Sequence, residues 1–228
     1  MRKLEPKPFD EILSNYFNEK FGQKEESFWD REVGTYHASD FGKCLRKVYY
    51  EHELGKRESE NSYPHFHLGN KIEDVVEYSL KNHYGRDLIK NSYRIELNFG
   101  DFRVVGQTDP VLVGVNGEIK KLFEVKSTKS LKFREEDGPA EHHVMQVHPY
   151  MAGLGLDSCT IVYVQKNDLK VLSYDVCFDK EKFARGKNRI LVLHKGLTGG
   201  GPPKAEPFCP DWECDYCKYS NECPKGGD

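Results

Sequence analysis

The sequence has no apolar run approaching 18 residues, so nothing in it reads as a membrane-spanning helix. It also lacks a secretory h-region, because the opening MRKLEPKPFDEILSNYF is too charged. No internal repeat is present, and the net charge of −3 is no single-sign excess that would announce a polyanion partner. These absences point to a cytoplasmic, reducing setting. There, an odd count of seven cysteines gathered towards one end argues for metal or cluster ligation over a disulfide framework. At 228 residues the chain can bury a sizeable core as one domain with an appendage.

What is there centres on GQTDPVLVGVNGEIKKLFEVKST. Two β-prone runs, 111–115 and 118–126, flank Asn116-Gly117, the strongest short hairpin signal. With Asn116-Gly117 as a two-residue turn, Val115 faces Glu118, and the continued ladder sets Asp109 opposite Glu124. Their side chains are then roughly 5 Å apart on one face. Lys126 projects to the same face as Glu124. Two carboxylates and an ammonium converge there, with room for a divalent cation, which is hydrolase chemistry. Charged strand residues more commonly form a solvated face. Leu122, Phe123 and Val125, however, read as a strand entering the core.

Around this hairpin, apolar spacing predicts an amphipathic helix over 8–22 through Phe9, Ile12, Leu13, Tyr16 and Phe17. Ser39 and Asp40 offer caps for a helix over about 44–54, and 57–64 reads as a loop. A helix over 65–84 carries the stripe Leu68, Ile72, Val75, Val76 and Leu80. Strands follow at 93–99 and 102–107 with Gly100-Asp101 between them. Next come a helix within 139–154, strands at 160–165 and 170–176, and a helix over 179–194. GLTGGGPPKAEP, 196–207, reads as a linker that cannot pack as an element. The order predicts an α/β domain with one mixed central sheet and helices on both faces.

Three further groups carry chemistry. Glu73, one turn after Gly69, reaches the sheet if its helix packs there and glycine allows close approach. Gln146 and Tyr150 share a helix face, although Pro149 should start or kink that helix. Cys214-x2-Cys217-x5-Cys223 is a strong ligand pattern. Its fourth member is either Cys209, nearby, or Cys44, in a basic helix start that favours the thiolate. Cys159 and Cys177 sit in apolar runs and read as core. Basic patches occur at Lys126, Lys129, Lys132 and Arg134, and at Lys43, Arg46 and Lys47; short charge runs are more often solvated faces.

Taken together, Cys44-Leu-Arg46-Lys47-Val-Tyr49-Tyr50, a Gly-led helix with an acidic residue, G-x-T-D, E-x-K, Q-x-x-x-Y and C-x2-C-x5-C resemble the iron-sulphur branch of the PD-(D/E)xK nucleases. That branch comprises the RecB- and AddB-like nuclease domains and the CRISPR-associated exonucleases. The resemblance runs from about Ser39 to Pro224. It implies a restriction-endonuclease-like core over 65–195, an N-terminal helical region over 1–64 carrying the first cluster cysteine, and a linker and cysteine tail over 196–228 closing the cluster. It assigns a 4Fe-4S cluster to Cys44, Cys214, Cys217 and Cys223, leaving Cys209 as the spare. Two departures stand out: many relatives carry His at the Glu73 position, and Pro149 is unusual.

The resemblance further implies a Mg²⁺- or Mn²⁺-dependent deoxyribonuclease, an exonuclease, with endonuclease activity beside it left open. It would act on single-stranded DNA or DNA ends and leave 5′-phosphates. Glu73, Asp109, Glu124 and the carbonyl of Val125 are then the metal ligands, with Asp109, Glu124 and Lys126 catalytic and Gln146 and Tyr150 placing the strand. Protein partners would come from DNA recombination, CRISPR adaptation or viral replication. The rivals are a recruitment subunit with a vestigial nuclease centre and a zinc-knuckle scaffold.

Overall fold

The computed structural model describes residues 32–55, 63–204 and 211–223. The expected N-terminal helix, most of the 57–64 loop and Cys209 lie outside them. Two mixed sheets form, where the sequence pattern predicts one. The larger has the order β2 (Ile89–Lys90), β5 (Val111–Val113), β6 (Ile119–Thr128), β7 (Ser158–Gln165), β8 (Val171–Cys177). The smaller has the order β1 (Thr35–His37), β4 (Arg103–Gln107), β3 (Arg94–Asn98), with β1 parallel to β4.

The sheets part at Thr108-Asp109-Pro110. Thr108 is tied back to Tyr93 by reciprocal bonds of 2.9 Å from its own N–H and to its hydroxyl. Pro110 has no N–H to continue a ladder. Asp109 therefore stands in the gap between the sheets rather than inside a strand.

The hairpin joining β5 to β6 also differs from the predicted two-residue turn. Gly114 N–H bonds the Glu118 carbonyl at 2.8 Å, and Gly117 N–H bonds the Gly114 carbonyl at 2.9 Å. Gly117 has φ +82°. This is a three-residue loop closed by a left-handed glycine. The extra residue is absorbed by a bulge between Leu112 and Val113, after which Val111 pairs with Leu122 as expected.

Helices cover both sheets: α1 (Leu45–Glu53), α2 (Tyr63–Tyr84), α3 (Lys132–Asp137), α4 (Glu141–Leu154), α5 (Lys180–Lys195) and α6 (Asp211–Asp215). Cys44, not Ser39 or Asp40, stands at the N-cap of α1. Asp40 instead closes the 3-10 turn Ala38–Phe41, accepting the His37 N–H at 2.9 Å. In α2, Ile72 is buried, but Leu68 and Val75 of the expected stripe are 40% and 50% exposed. The helix packs along β6, β2 and the short 3-10 turn Arg86–Leu88, and that contact buries one side of it. The helical assignment of α4 runs through Pro149, which is buried in the core-facing side. Asp179 caps α5 through the N–H groups of Glu181 and Lys182.

The stretch read as a linker begins as one more helical turn, Gly196–Gly200, with the Thr198 hydroxyl bonded to the His194 carbonyl at 2.9 Å. No helix among the described residues is long and apolar enough to cross a membrane.

The core lies where α4 and α5 meet the sheets, around Tyr36, Val104, Leu122, Met145, Met151, Ile161 and Ile190. Its tightest seam joins the 3-10 turn to α4, where a Cβ on Gly42 would overlap the His142 carbonyl. Gly42→Ala should therefore cost about 1–3 kcal/mol in urea unfolding. Gly69, expected to permit close approach, would meet only the Ser127 hydroxyl, at 3.7 Å. Gly69→Ala in mid-α2 should instead stabilise by about 0.5–1 kcal/mol.

Candidate active site

The pleat of β6 sends Glu124 and Lys126 to one face. Glu124 is 1% exposed. Its Oε1 receives the Gln146 amide at 2.7 Å and the Lys126 ammonium at 2.6 Å. Its Oε2 is buried with no hydrogen-bond partner among the described residues. Asp109 reaches across from the gap between the sheets, and its Oδ2 accepts the Val125 N–H at 2.7 Å. That bond fixes Asp109 to the backbone midway between Glu124 and Lys126. Tyr150, one turn beyond Gln146 on α4, is buried against Gly106, where a Cβ would come within 2.7 Å of its ring.

Electrostatics tie Glu73 of α2 to the same place. Burial first, then the charges of Glu124 and Glu73, push the Asp109 carboxyl well above the usual range, against the pull of Lys126 and the Val125 N–H. Glu73 is raised by burial and then by Glu124. Burial opposes the Lys126 ammonium, but the Glu124 and Asp109 charges outweigh it and hold its pKa up. Tyr150 is pushed up by burial, then by the same two carboxylates. All six side chains named for the site (Glu73, Asp109, Glu124, Lys126, Gln146, Tyr150) thus share one electrostatic neighbourhood.

Among the described residues no three His, Cys, Asp or Glu side chains converge closely enough to hold a metal ion outright. What fits a divalent cation is the donor chemistry. Glu124 and Asp109 flank a single ammonium, Glu73 lies within their electrostatic reach, and one buried oxygen, Glu124 Oε2, has no partner among the described residues. Hard oxygen donors suit Mg²⁺ or Mn²⁺.

Sequence reasoning missed His142, His143 and Tyr163. Tyr163 is the ladder partner of Lys126 on β7. Its hydroxyl accepts the Ala140 N–H at 3.0 Å and lies 2.9 Å from His143 Nδ1. Burial, then His142, Lys126 and Arg134, drive the His143 pKa down to about 2. The only sequence signal was the proximity of both histidines to Gln146, because a parallel β6–β7 register has no local signature.

The basic patches divide. Arg134 lies 6.0 Å over the Tyr163 ring and bonds the Gly138 carbonyl at 3.1 Å, beside the site. Lys43 is spent on Asp40 at 2.9 Å, and Arg46 on the Pro203 carbonyl at 2.7 Å and Cys223 Sγ at 3.7 Å.

The cysteine tail docks on α1. Tyr50 donates to the Glu222 carbonyl at 2.7 Å and stacks on Tyr219, whose hydroxyl reaches the Gly55 carbonyl at 2.7 Å. Cys44, Cys214, Cys217 and Cys223 are half-buried. Cys159 is core, as expected. Cys177 is exposed, because β8 is an edge strand whose residues alternate outward.

This sheet order, with an acidic residue in the break before β5 and a Glu-x-Lys on β6, has the architecture of the restriction-endonuclease-like exonucleases. The alkaline exonuclease of Laribacter hongkongensis superposes with a TM-score of 0.53 at 13% identity, covering 77% of this chain and 93% of that one. The crystal structure of SSO0001 does so with a TM-score of 0.65 at 20% identity, covering 97% and 98%. Its fold is similar to that of both structures. In sequence it is similar to the CRISPR-associated exonuclease Cas4 of Saccharolobus solfataricus, 24% identical over 197 residues, 85% of this chain and 89% of the relative. No protein-family model matches the chain.

The raised Asp109 pKa has a measurable sign. The folded state binds that proton more tightly than the unfolded state, so metal-free stability falls as pH climbs from about 3.9 through the raised value. Asp109→Asn, which keeps an acceptor for Val125 N–H, should raise stability in EDTA by on the order of 1 kcal/mol or more at pH 8. The gain should vanish towards pH 4 in thermal melts.

Proposed function

We propose that the chain is a divalent-metal-dependent DNA exonuclease, acting on single strands or ends and leaving 5′-phosphates. The observation that carries it is the buried, partnerless Oε2 of Glu124 beside Asp109 and Glu73, on a sheet shared with exonucleases. The similarity to an exonuclease over most of both chains supports the same reading.

Glu73, Asp109, Glu124 and the Val125 carbonyl would hold the ion. Once bound, it would lower the pKa of a coordinated water and offset charge on the phosphate. Lys126, kept an ammonium by its ion pair with Glu124, stabilises charge that develops on the phosphate oxygens. Gln146 keeps Glu124 oriented through its amide. Tyr150, wedged against Gly106, holds that turn of α4 in place.

Cleavage of end-labelled DNA should require Mg²⁺ or Mn²⁺ and stop with EDTA. Asp109→Ala and Lys126→Ala should each lower kcat at least about a hundredfold with the fold retained by circular dichroism. Folded wild-type protein that binds DNA but never cuts it would instead be a recruitment subunit.

A 4Fe-4S cluster on Cys44, Cys214, Cys217 and Cys223 completes the proposal, with the region up to residue 64 and the tail from 196 joined through it. Supporting it, the tail packs on α1 through Tyr50 and Arg46 touches Cys223, although among the described residues the sulphurs are not gathered into a ligand set. The thiolates would clip the tail to the body and close a long loop. Anaerobically purified protein should show visible charge-transfer absorption and bound iron, and Cys44→Ser should abolish both. Loss on Cys209→Ser instead would transfer the fourth ligand to Cys209.

A further inference from the structure

The α4 face that carries Gln146 and Tyr150 has a third member, His142, one helical turn before Gln146. α4 and β6 run in opposite directions across the site. Gln146 reaches Glu124, whereas Ala140 and His143 reach Tyr163, the ladder partner of Lys126. Moving one turn from Gln146 to His142 thus passes from the level of Glu124 to that of Lys126.

The position is fixed on two sides. The His142 carbonyl seats against Gly42, where no Cβ fits. Its ring lies 4.1 Å from that of His143, which is itself held by Tyr163. Gln146 and Tyr150 are drawn inward, while His142 is exposed. The charged groups facing it are Lys126 from β6 and Arg134 from α3, with His143 beside it on α4. On the 3-10 turn against its backbone, Asp40 is closed by Lys43. Partial burial, then Lys126 and Arg134, hold the imidazole below its usual pKa. In its neutral form the ring offers one N–H donor and no added charge.

We propose that His142 contacts substrate, donating a hydrogen bond from its ring N–H to a non-bridging phosphate oxygen of the strand engaged by Lys126. This rests on the nuclease reading. A single-stranded phosphodiester threaded over the site meets two cations and this donor along one edge, and the donor adds direction without demanding a further counter-ion.

The test uses the full chain on a fluorescent single-stranded oligonucleotide, with cleavage kinetics and, in an Asp109→Asn background, binding anisotropy. His142→Ala should raise KM and Kd about tenfold with kcat and thermal midpoint nearly unchanged. His142→Gln, which keeps an N–H donor, should recover most of the loss. With methylphosphonates replacing the terminal phosphates, the parent protein and its His142→Ala variant should bind alike. Unchanged KM and Kd for His142→Ala would overturn the proposal. So would a loss confined to kcat or stability that His142→Gln fails to restore. Wild-type protein that never cleaves would refute the nuclease reading, and the anisotropy comparison would still decide the contact.

Discussion

The buried carboxylate of Glu124 is the constraint on which the arrangement turns. Placing it at 1% exposure is costly unless the charge is met. One oxygen is met twice, by the Lys126 ammonium from two residues along the same strand and by the Gln146 amide from α4. The other is met by nothing among the described residues. Removing Lys126 would leave that buried charge still less compensated, a loss of about 3–5 kcal/mol for a broken buried pair. The strand, the helix and the open coordination position are therefore energetically linked.

That linkage extends outward through close approaches of backbone. Gln146 can reach Glu124 only if α4 lies at one height over β6. That height is set by Tyr163 at its first turn, by Gly42 under His142 and by Gly106 under Tyr150. The 3-10 turn bearing Gly42 leads directly into Cys44 and α1. Buried Arg189 of α5 holds it there through the Phe41 carbonyl and, at 2.7 Å, the Lys43 carbonyl. The segment that receives the cysteine tail is thus two residues from the one that sets the register of α4. Anything that displaces α1 acts on the carboxylates through packed backbone, with little soft side chain between to absorb the movement.

Much of the site was legible in the hairpin alone. Asp109, Glu124 and Lys126 are linked by alternation and by ladder counting, which are local rules. The expected turn was nevertheless one residue too short. Its error was cancelled by the bulge at Leu112, so the carboxylates met although the loop differed. Glu73 was reached by assuming that α2 packs on the sheet, and of the apolar stripe read as buried Ile72 is buried while Leu68 and Val75 are exposed. Helical period marks an apolar face without saying how much of it finds a partner. Pro149 does not begin the helix, which starts at Glu141. Proline is read as a break because it removes one N–H, yet α4 accommodates that loss within a buried turn where surrounding contacts outweigh it.

The amino-acid order by itself determined what depends on neighbours a few residues apart. It set which side chains share a strand face, which share a helix face, where glycine and proline interrupt, and that thiols with ligand spacing close the chain. Only the tertiary structure decided what depends on residues far apart in sequence. It split the sheet so that Asp109 stands in the gap, set the parallel register of Lys126 with Tyr163, and chose the α4 height that brings Gln146 to Glu124 and His142 to the level of Lys126. Local geometry follows from backbone period and turn sterics. Long-range register follows from which buried surfaces fit, and no stretch of sequence carries that information alone.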